Sequence, residues 1–127
     1  KLSSKQIESI LKLDGPRRYD HFIKHVVDCQ HAWGLYSDGW AMGIDDSGNP
    51  TFQLWPAREY ATLCAKDLWT GFEPSEIPLE DLVDELLPKL ERDGVGLGVF
   101  RTPEGQSVMP SIHDLLADLR VEMARYE

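Results

Sequence analysis

Apolar residues recur along this chain at two spacings, every three to four positions in some segments and every second position in others, and the switches between them predict its elements. Ile7, Ile10 and Leu11 form a short helical stripe behind Ser3 or Ser4, either of which can cap a first turn, and Asp14-Gly15-Pro16 interrupts it. A second helix starts at Pro16, turns Tyr19, Phe22, Ile23 and Val26 inward, and ends near Gln30. The pattern then changes to short strands. Ala32 to Tyr36 reads as one, Ser37-Asp38-Gly39 as a tight turn, Trp40 to Asp45 as a second strand, Asp46-Ser47-Gly48-Asn49 as another turn, and Phe52 to Trp55 as a third strand. Pro56 opens a helix with Tyr60, Leu63 and Cys64 inward.

Beyond Trp69 the segment TGFEPSEIP is expected to be irregular, with at most a short edge strand near Glu76 and Ile77, because prolines cannot donate to a ladder. Leu79, Leu82, Val83, Leu86, Leu87 and Leu90 give the clearest helical stripe in the chain, and Pro88 inside it should loosen the last turn before Asp93-Gly94. Val95 to Arg101 reads as a strand, Thr102 to Gly105 as a turn, and Gln106 to Met109 as its return. Ser111 caps a last helix, with Asp114 three residues on and Ile112, Leu115, Leu116, Leu119 and Met123 facing the core. Residues 43–56 and 98–110 thus share one order of strand, turn, strand, proline and helix. The expected fold is a single α+β domain over residues 1–127: a small, mainly antiparallel sheet built from two such units and packed with about five helices.

With 127 residues and 42% hydrophobic content, the chain can build one core without disulfides or metal. Cys29 and Cys64 lie apart, outside any CxxC or zinc spacing, and read as reduced thiols. No apolar run approaches membrane-spanning length, and KLSSKQIESI lacks the apolar stretch of a secretory signal, so a cytoplasmic, non-membrane protein is expected. The net charge of −9 is uneven: residues 1–31 hold six Lys/Arg against four Asp/Glu, and the remainder seven against eighteen. Nucleic acid is disfavoured as a partner, because its phosphates demand cationic contacts, and a basic protein is favoured.

Few residues are arranged for chemistry. His21, His25 and Asp28 share one face of the second helix at the spacing a metal site needs, yet the apolar stripe on its other side predicts that they face water. Asp45 to Asn49 suggests a calcium loop, but Pro56 stands where the bidentate glutamate would be, so a hairpin turn is the reading. GxSxG, HExxH and GxxxxGK[ST] motifs are absent, and the spacing of Cys64 from Tyr60 and Leu63 predicts a packed thiol. No catalytic residue, metal site or cofactor is assigned. The acids Glu80, Asp81, Asp84 and Glu85 beside the leucine stripe should be solvated, where they could receive a cationic protein.

The block from Trp33 to Pro56 holds three of the four tryptophans. Regular alternation puts Trp33, Leu35, Trp40, Met42 and Ile44 on one face and Gly34, Tyr36, Ala41 and Gly43 on the other, with Gly96 and Gly98 repeating the small-residue face later. Such a face admits a helix of the same domain, or a ligand in a concave site rimmed by Tyr36, Trp40, Trp55 and Arg58. Trp33-Gly34-Leu35-Tyr36, Asp38-Gly39-Trp40-Ala41, Leu54-Trp55-Pro56 and Glu59-Tyr60-Ala61 resemble a family of short bacterial proteins, the domain of unknown function numbered 2750. That resemblance implies the α+β order above and assigns no catalytic residue. The expected function is non-catalytic binding of a protein partner, as in an immunity protein or adaptor, through Tyr36, Asp38, Trp40, Trp55, Arg58, Glu80, Asp81 and Asp84. The alternative is a small hydrolase- or transferase-like enzyme with its cleft near Tyr36, Asp38, Trp40 and Arg58.

Overall fold

A computed structural model describes residues 2–126. In α1 (Ser4–Leu11) the Gln6 N–H donates to Ser3 Oγ at 3.2 Å while the Ser3 N–H donates to Gln6 Oε1 at 2.9 Å, which satisfies two of the free donors at the helix start. Helix α2 (Gly15–Cys29) is capped by Asp14, carries Pro16 in its first turn, and stops where Gln30 takes a left-handed backbone with φ 67°. Phe22, Ile23, Val26 and Val27 of α2 are buried. By contrast α1 buries no residue and rests on the core through half-buried Ile7, Ile10 and Leu11.

The strands are β1 (His31–Tyr36), β2 (Met42–Ile44), β3 (Pro50–Leu54), β4 (Glu73–Pro78) and β5 (Gly96–Val99). They form two small sheets. Strands β1 and β4 pair antiparallel, with Ala32 opposite Ile77 and Gly34 opposite Ser75. In the other sheet, ordered β2-β3-β5, β2 runs antiparallel to β3 while β5 runs parallel to it. One reciprocal backbone pair joins the sheets: the Trp33 N–H donates to the Trp55 carbonyl at 2.9 Å and the Trp55 N–H to the Trp33 carbonyl at 2.8 Å.

Strand β4 occupies the segment in which two prolines predicted irregular chain with at most a short edge strand near Glu76 and Ile77, and it runs longer than that, over Glu73–Pro78. The Leu79 N–H donates to the Gln30 carbonyl at 2.9 Å, so the odd-numbered backbone groups point at β1. Pro74 and Pro78 are even-numbered, and their nitrogens face away from β1, where no ladder bond is lost. The second strand-turn-strand unit is shorter than its pattern predicts. Val99 and Val108 exchange bonds of 2.7 and 2.9 Å as an isolated bridge, and no strand extends around Val108. The turn closes at once through the Thr102 N–H to Gln106 carbonyl bond, and Pro103 and Pro110 have no donors to lengthen the pairing.

Among the remaining helices, α3 (Arg58–Leu63) buries Tyr60 and Ala61. With Ala57 and Cys64 these make a stripe at spacings of three, four and seven, and Leu63, expected to face inward, falls off it and is 42% exposed. Helix α4 is one continuous run over 79–92: Leu79–Asp81, a π-helical turn at Leu82–Leu86, and Leu87–Arg92. Its Leu87 N–H donates to Leu82, five residues back, immediately before Pro88. The loosening expected from Pro88 takes the form of this widened turn, which accommodates a residue that cannot donate and still buries Leu79, Leu82, Val83, Leu87 and Leu90. In α5 (Ile112–Ala124) Ser111 Oγ accepts from the Asp114 N–H at 3.0 Å, and Ile112, Leu115 and Leu119 are buried.

One buried cation ties the helical and sheet parts together. Arg18 donates through Nε to the Phe100 carbonyl at 3.3 Å and through its two terminal nitrogens to the carbonyls of Leu13 at 3.1 Å and Gln106 at 3.3 Å. Phe100 is fully buried with φ 53°, a strained backbone for a bulky residue, and its N–H also reaches the Leu54 carbonyl at 2.8 Å. Burial holds the Arg18 pKa below its ordinary value, with Asp14 opposing this. Arg18→Leu is expected to lower unfolding free energy by about 3 kcal/mol in urea denaturation, because three carbonyls lose one shared donor. Arg18→Lys should recover only part of the loss, since one ammonium lacks the guanidinium fork.

Candidate functional site

The Ser37-Asp38-Gly39 turn sets the geometry of the aromatic block. The Ser37 N–H donates to the Gly39 carbonyl at 2.9 Å, Asp38 adopts φ 55°, and Tyr36 pairs across the turn with Trp40. Paired residues of antiparallel strands share a face, so Trp40 lies with Gly34 and Tyr36, and not with Trp33 and Leu35 as simple alternation predicts. Its ring fills the space above Gly34, where an added Cβ would come within 2.7 Å of it. Tyr36 meets it edge-on at 5.1 Å and Phe52 at 5.4 Å, so three contacts fix the indole.

Trp40 stands at one side of a groove of about 320 Å3 between β4 and α4, with Glu76, Ile77, Asp81, Glu85 and Lys89 among its lining. Asp81 and Glu85 are one helical turn apart and both exposed. Lys89 is turned to Asp93, with Nζ 2.7 Å from Oδ2, and Glu76 lies 3.4 Å from His31 Nδ1. Among the described residues, Asp81 and Glu85 have no ion-pair partner. The two features singled out in the sequence, the tryptophan hairpin and the acidic leucine helix, therefore meet in one groove.

Other residues marked as site candidates fall elsewhere. Glu80 and Asp84 are exposed but outside the groove lining, and Asp38 sits exposed on the turn. Tyr36 is 46% exposed beside Trp40. Trp55 is fully buried, a correction to its place on the rim: its backbone joins the sheets, its Nε1–H donates to the Arg101 carbonyl at 3.0 Å, and Trp69 packs edge-on against it at 6.1 Å. Arg58 stacks 5.7 Å from the Trp33 ring centre and lines a separate groove beside α1, so Tyr36, Trp40 and Arg58 do not converge on one cavity. Glu85, one of the acids marked beside the leucine stripe, joins Asp81 in the lining, and Glu76 is the groove acid that the sequence did not mark, because its place depends on the pairing of β4.

The small-residue face is filled by the chain's own side chains. Gln53, buried and bonded through Nε2 to the Thr51 carbonyl and hydroxyl at 3.2 and 2.9 Å, lies over Gly43 and Gly98, where a Cβ would meet it at 2.9 and 2.7 Å. No helix and no ligand is required there.

The histidine face of α2 does not point wholly to water. His21 and His25 are half-buried and stacked at 5.4 Å, and burial holds both imidazoles below their ordinary pKa. Cys29 Sγ lies 3.5 Å from His25 Nε2, and Asp28 Oδ1 accepts from the Tyr126 hydroxyl at 3.4 Å. Among the described residues, no three His, Cys, Asp or Glu side chains assemble a metal-holding cluster. Asp45 closes its hairpin by accepting from the Ser47 and Asn49 N–H groups, both at 2.9 Å, which with further bonds draws its pKa down. Cys64 is buried and bonded to the Arg101 carbonyl at 3.2 Å, and burial pushes its thiol up to about 11, the opposite of an activated nucleophile. No helix among the described residues is long and apolar enough to cross a membrane.

A family model described as "Protein of unknown function (DUF2750)" matches residues 19–119, which takes in the hairpin, the groove and all of α4. No curated protein and no solved structure matches the chain.

Gly34→Ala is expected to push the indole of Trp40 outward, read as a red shift of tryptophan emission with the fold retained by circular dichroism. Cys64 is expected to make stability fall at alkaline pH. Its thiol titrates at 9.0 when unfolded and about 11 when folded, so its contribution is complete below pH 9 and is lost as pH rises towards 11. Across that interval the urea midpoint should fall more steeply for the native chain than for Cys64→Ala.

Proposed function

The chain belongs to the DUF2750 family, and from the groove at Trp40 we propose that it is a non-catalytic interaction protein that receives a lysine or arginine side chain of a basic protein partner. One observation carries this reading: a fixed indole and two carboxylates without ion-pair partners line the same open groove. A cation over the indole gains about 0.5–2 kcal/mol, and the aliphatic stem of lysine or arginine complements Ile77, Pro78 and Leu86. The net charge of −9 would speed the approach of a basic partner. An acidic cytoplasmic adaptor, or an immunity protein against a basic toxin, would use such a groove.

The test must separate the groove from the general charge of the chain. Binding of an arginine-rich peptide, followed by tryptophan fluorescence at physiological salt, is expected to weaken about tenfold in the double variant Asp81→Asn/Glu85→Gln. The control double variant Glu80→Gln/Asp84→Asn removes the same charge from the same helix outside the groove and should change affinity little. Equal losses in the two variants would reduce the interaction to net charge and refute the reading. Trp40→Leu should weaken binding in a way that added salt does not reproduce.

A further inference from the structure

The backbone of Arg101 is fixed from several directions. Its carbonyl accepts two buried donors at once, the Trp55 Nε1–H at 3.0 Å and the Cys64 thiol at 3.2 Å, and it follows Phe100 with its strained φ of 53°. Its side chain is also held. The guanidinium stacks 5.4 Å from the Trp69 ring centre, and Trp69 is itself anchored by its Nε1–H to the Met42 carbonyl at 3.3 Å. Stacking occupies the face of a guanidinium and leaves the N–H groups along its edge free. The guanidinium of Arg18 serves three carbonyls, whereas that of Arg101 has neither an acceptor nor an ion-pair partner among the described residues. Arg101 is only half-buried, so its side chain remains open to the cavity it lines.

That cavity, of about 90 Å3, lies between the short turn of 3-10 helix at Asp67–Trp69 and the segment Arg101-Thr102-Pro103. Lys66 lines it as well, exposed and without an ion-pair partner among the described residues. Its lining carboxylate is Asp67, whose φ of 55° is uncommon for a residue with a side chain. Strained backbone thus occurs both in the lining and next to Arg101, and such strain clusters where the surrounding structure holds a ligand clamp in place.

Two cations at one cavity select a ligand class. The edge of a guanidinium matches two oxygens of an oxyanion, and an ammonium can take a third. A carboxylate is used up by the fork alone, whereas a phosphate group has an oxygen left for Lys66. The cavity is on the scale of a few water molecules and so admits one such group. The chain's net charge of −9 repels an extended polyanion, which leaves a single phosphate group, free or carried by a small molecule. We propose that this cavity binds a phosphate group, gripped by the Arg101 fork, with Lys66 supplying the second positive charge. The site is separate from the groove at Trp40, and either assignment can fail without the other.

Sodium phosphate is titrated into the full chain near neutral pH, at an ionic strength held constant with sodium chloride, and the Trp69 indole N–H is followed by NMR. The expected result is a saturable shift. Arg101→Gln should weaken binding about tenfold, and Arg101→Lys, which keeps the charge and loses the fork, should recover only part of that loss. Arg120→Gln, which removes an exposed cation outside the cavity, should change affinity little. Asp67→Asn should tighten binding, because it removes a carboxylate from the lining. Phenyl phosphate distinguishes the two sources: saturation by it as well as by phosphate assigns the site to a phosphoryl group on a small molecule, saturation by phosphate alone assigns it to the free ion, and both support the proposal. Absence of saturation through the millimolar range, equal losses in Arg101→Gln and Arg120→Gln, or equal binding of sodium acetate would each overturn it.

Discussion

Two backbone hydrogen bonds between Trp33 and Trp55 hold the architecture in register, because neither sheet is large enough to stand alone. A two-stranded ribbon and a three-stranded sheet with short strands are each marginal in water. Joined at this pair, they place β1 against the end of β3, so that the buried side chains of both contribute to one core with α2, α4 and α5. The positions of the functional candidates follow from the same junction. It sinks Trp55 into the core, leaves Trp33 half-buried beneath Arg58, and turns the hairpin so that Trp40 overlooks α4.

What the sequence made legible was local. Caps at Ser3 and Ser111, the start of α2 at Pro16, the turn after Tyr36 and the leucine stripe are each decided within a few residues, by propensity and periodicity. The misreadings concern long-range partners. A proline's cost in a strand depends on which side of it a neighbour lies, and that could not be known for Pro74 and Pro78 before β1 was seen opposite them. Gly43 and Gly98 resembled a vacant platform because nothing local shows that Gln53 will fold back across both. Leu63 is apolar but misses the stripe set by Ala57, Tyr60, Ala61 and Cys64.

The candidate site was legible in halves. Aromatic density around Trp40 and acid density on α4 could be read separately, but their meeting depends on β4 carrying Ile77 between them. Charge bookkeeping then separates the acids around the groove. Lys89 is committed to Asp93, Glu76 lies beside His31, and Asp81 and Glu85 have no ion-pair partner among the described residues. Arg18 illustrates the converse. Nothing in its flanking residues marks it as buried, yet it anchors three carbonyls in separate parts of the fold.

The prolines of β4 have a further effect at the boundary of the molecule. Among the described residues the outer margin of β4 has no strand beside it, and two of its three outward backbone positions, Pro74 and Pro78, carry no N–H, so only Glu76 could donate to an incoming chain. An exposed strand margin normally invites a second copy or a misfolded neighbour to extend the sheet. Here that extension would find a single donor, so the chain can keep a sticky aromatic groove at its surface without offering an adjacent seed for aggregation.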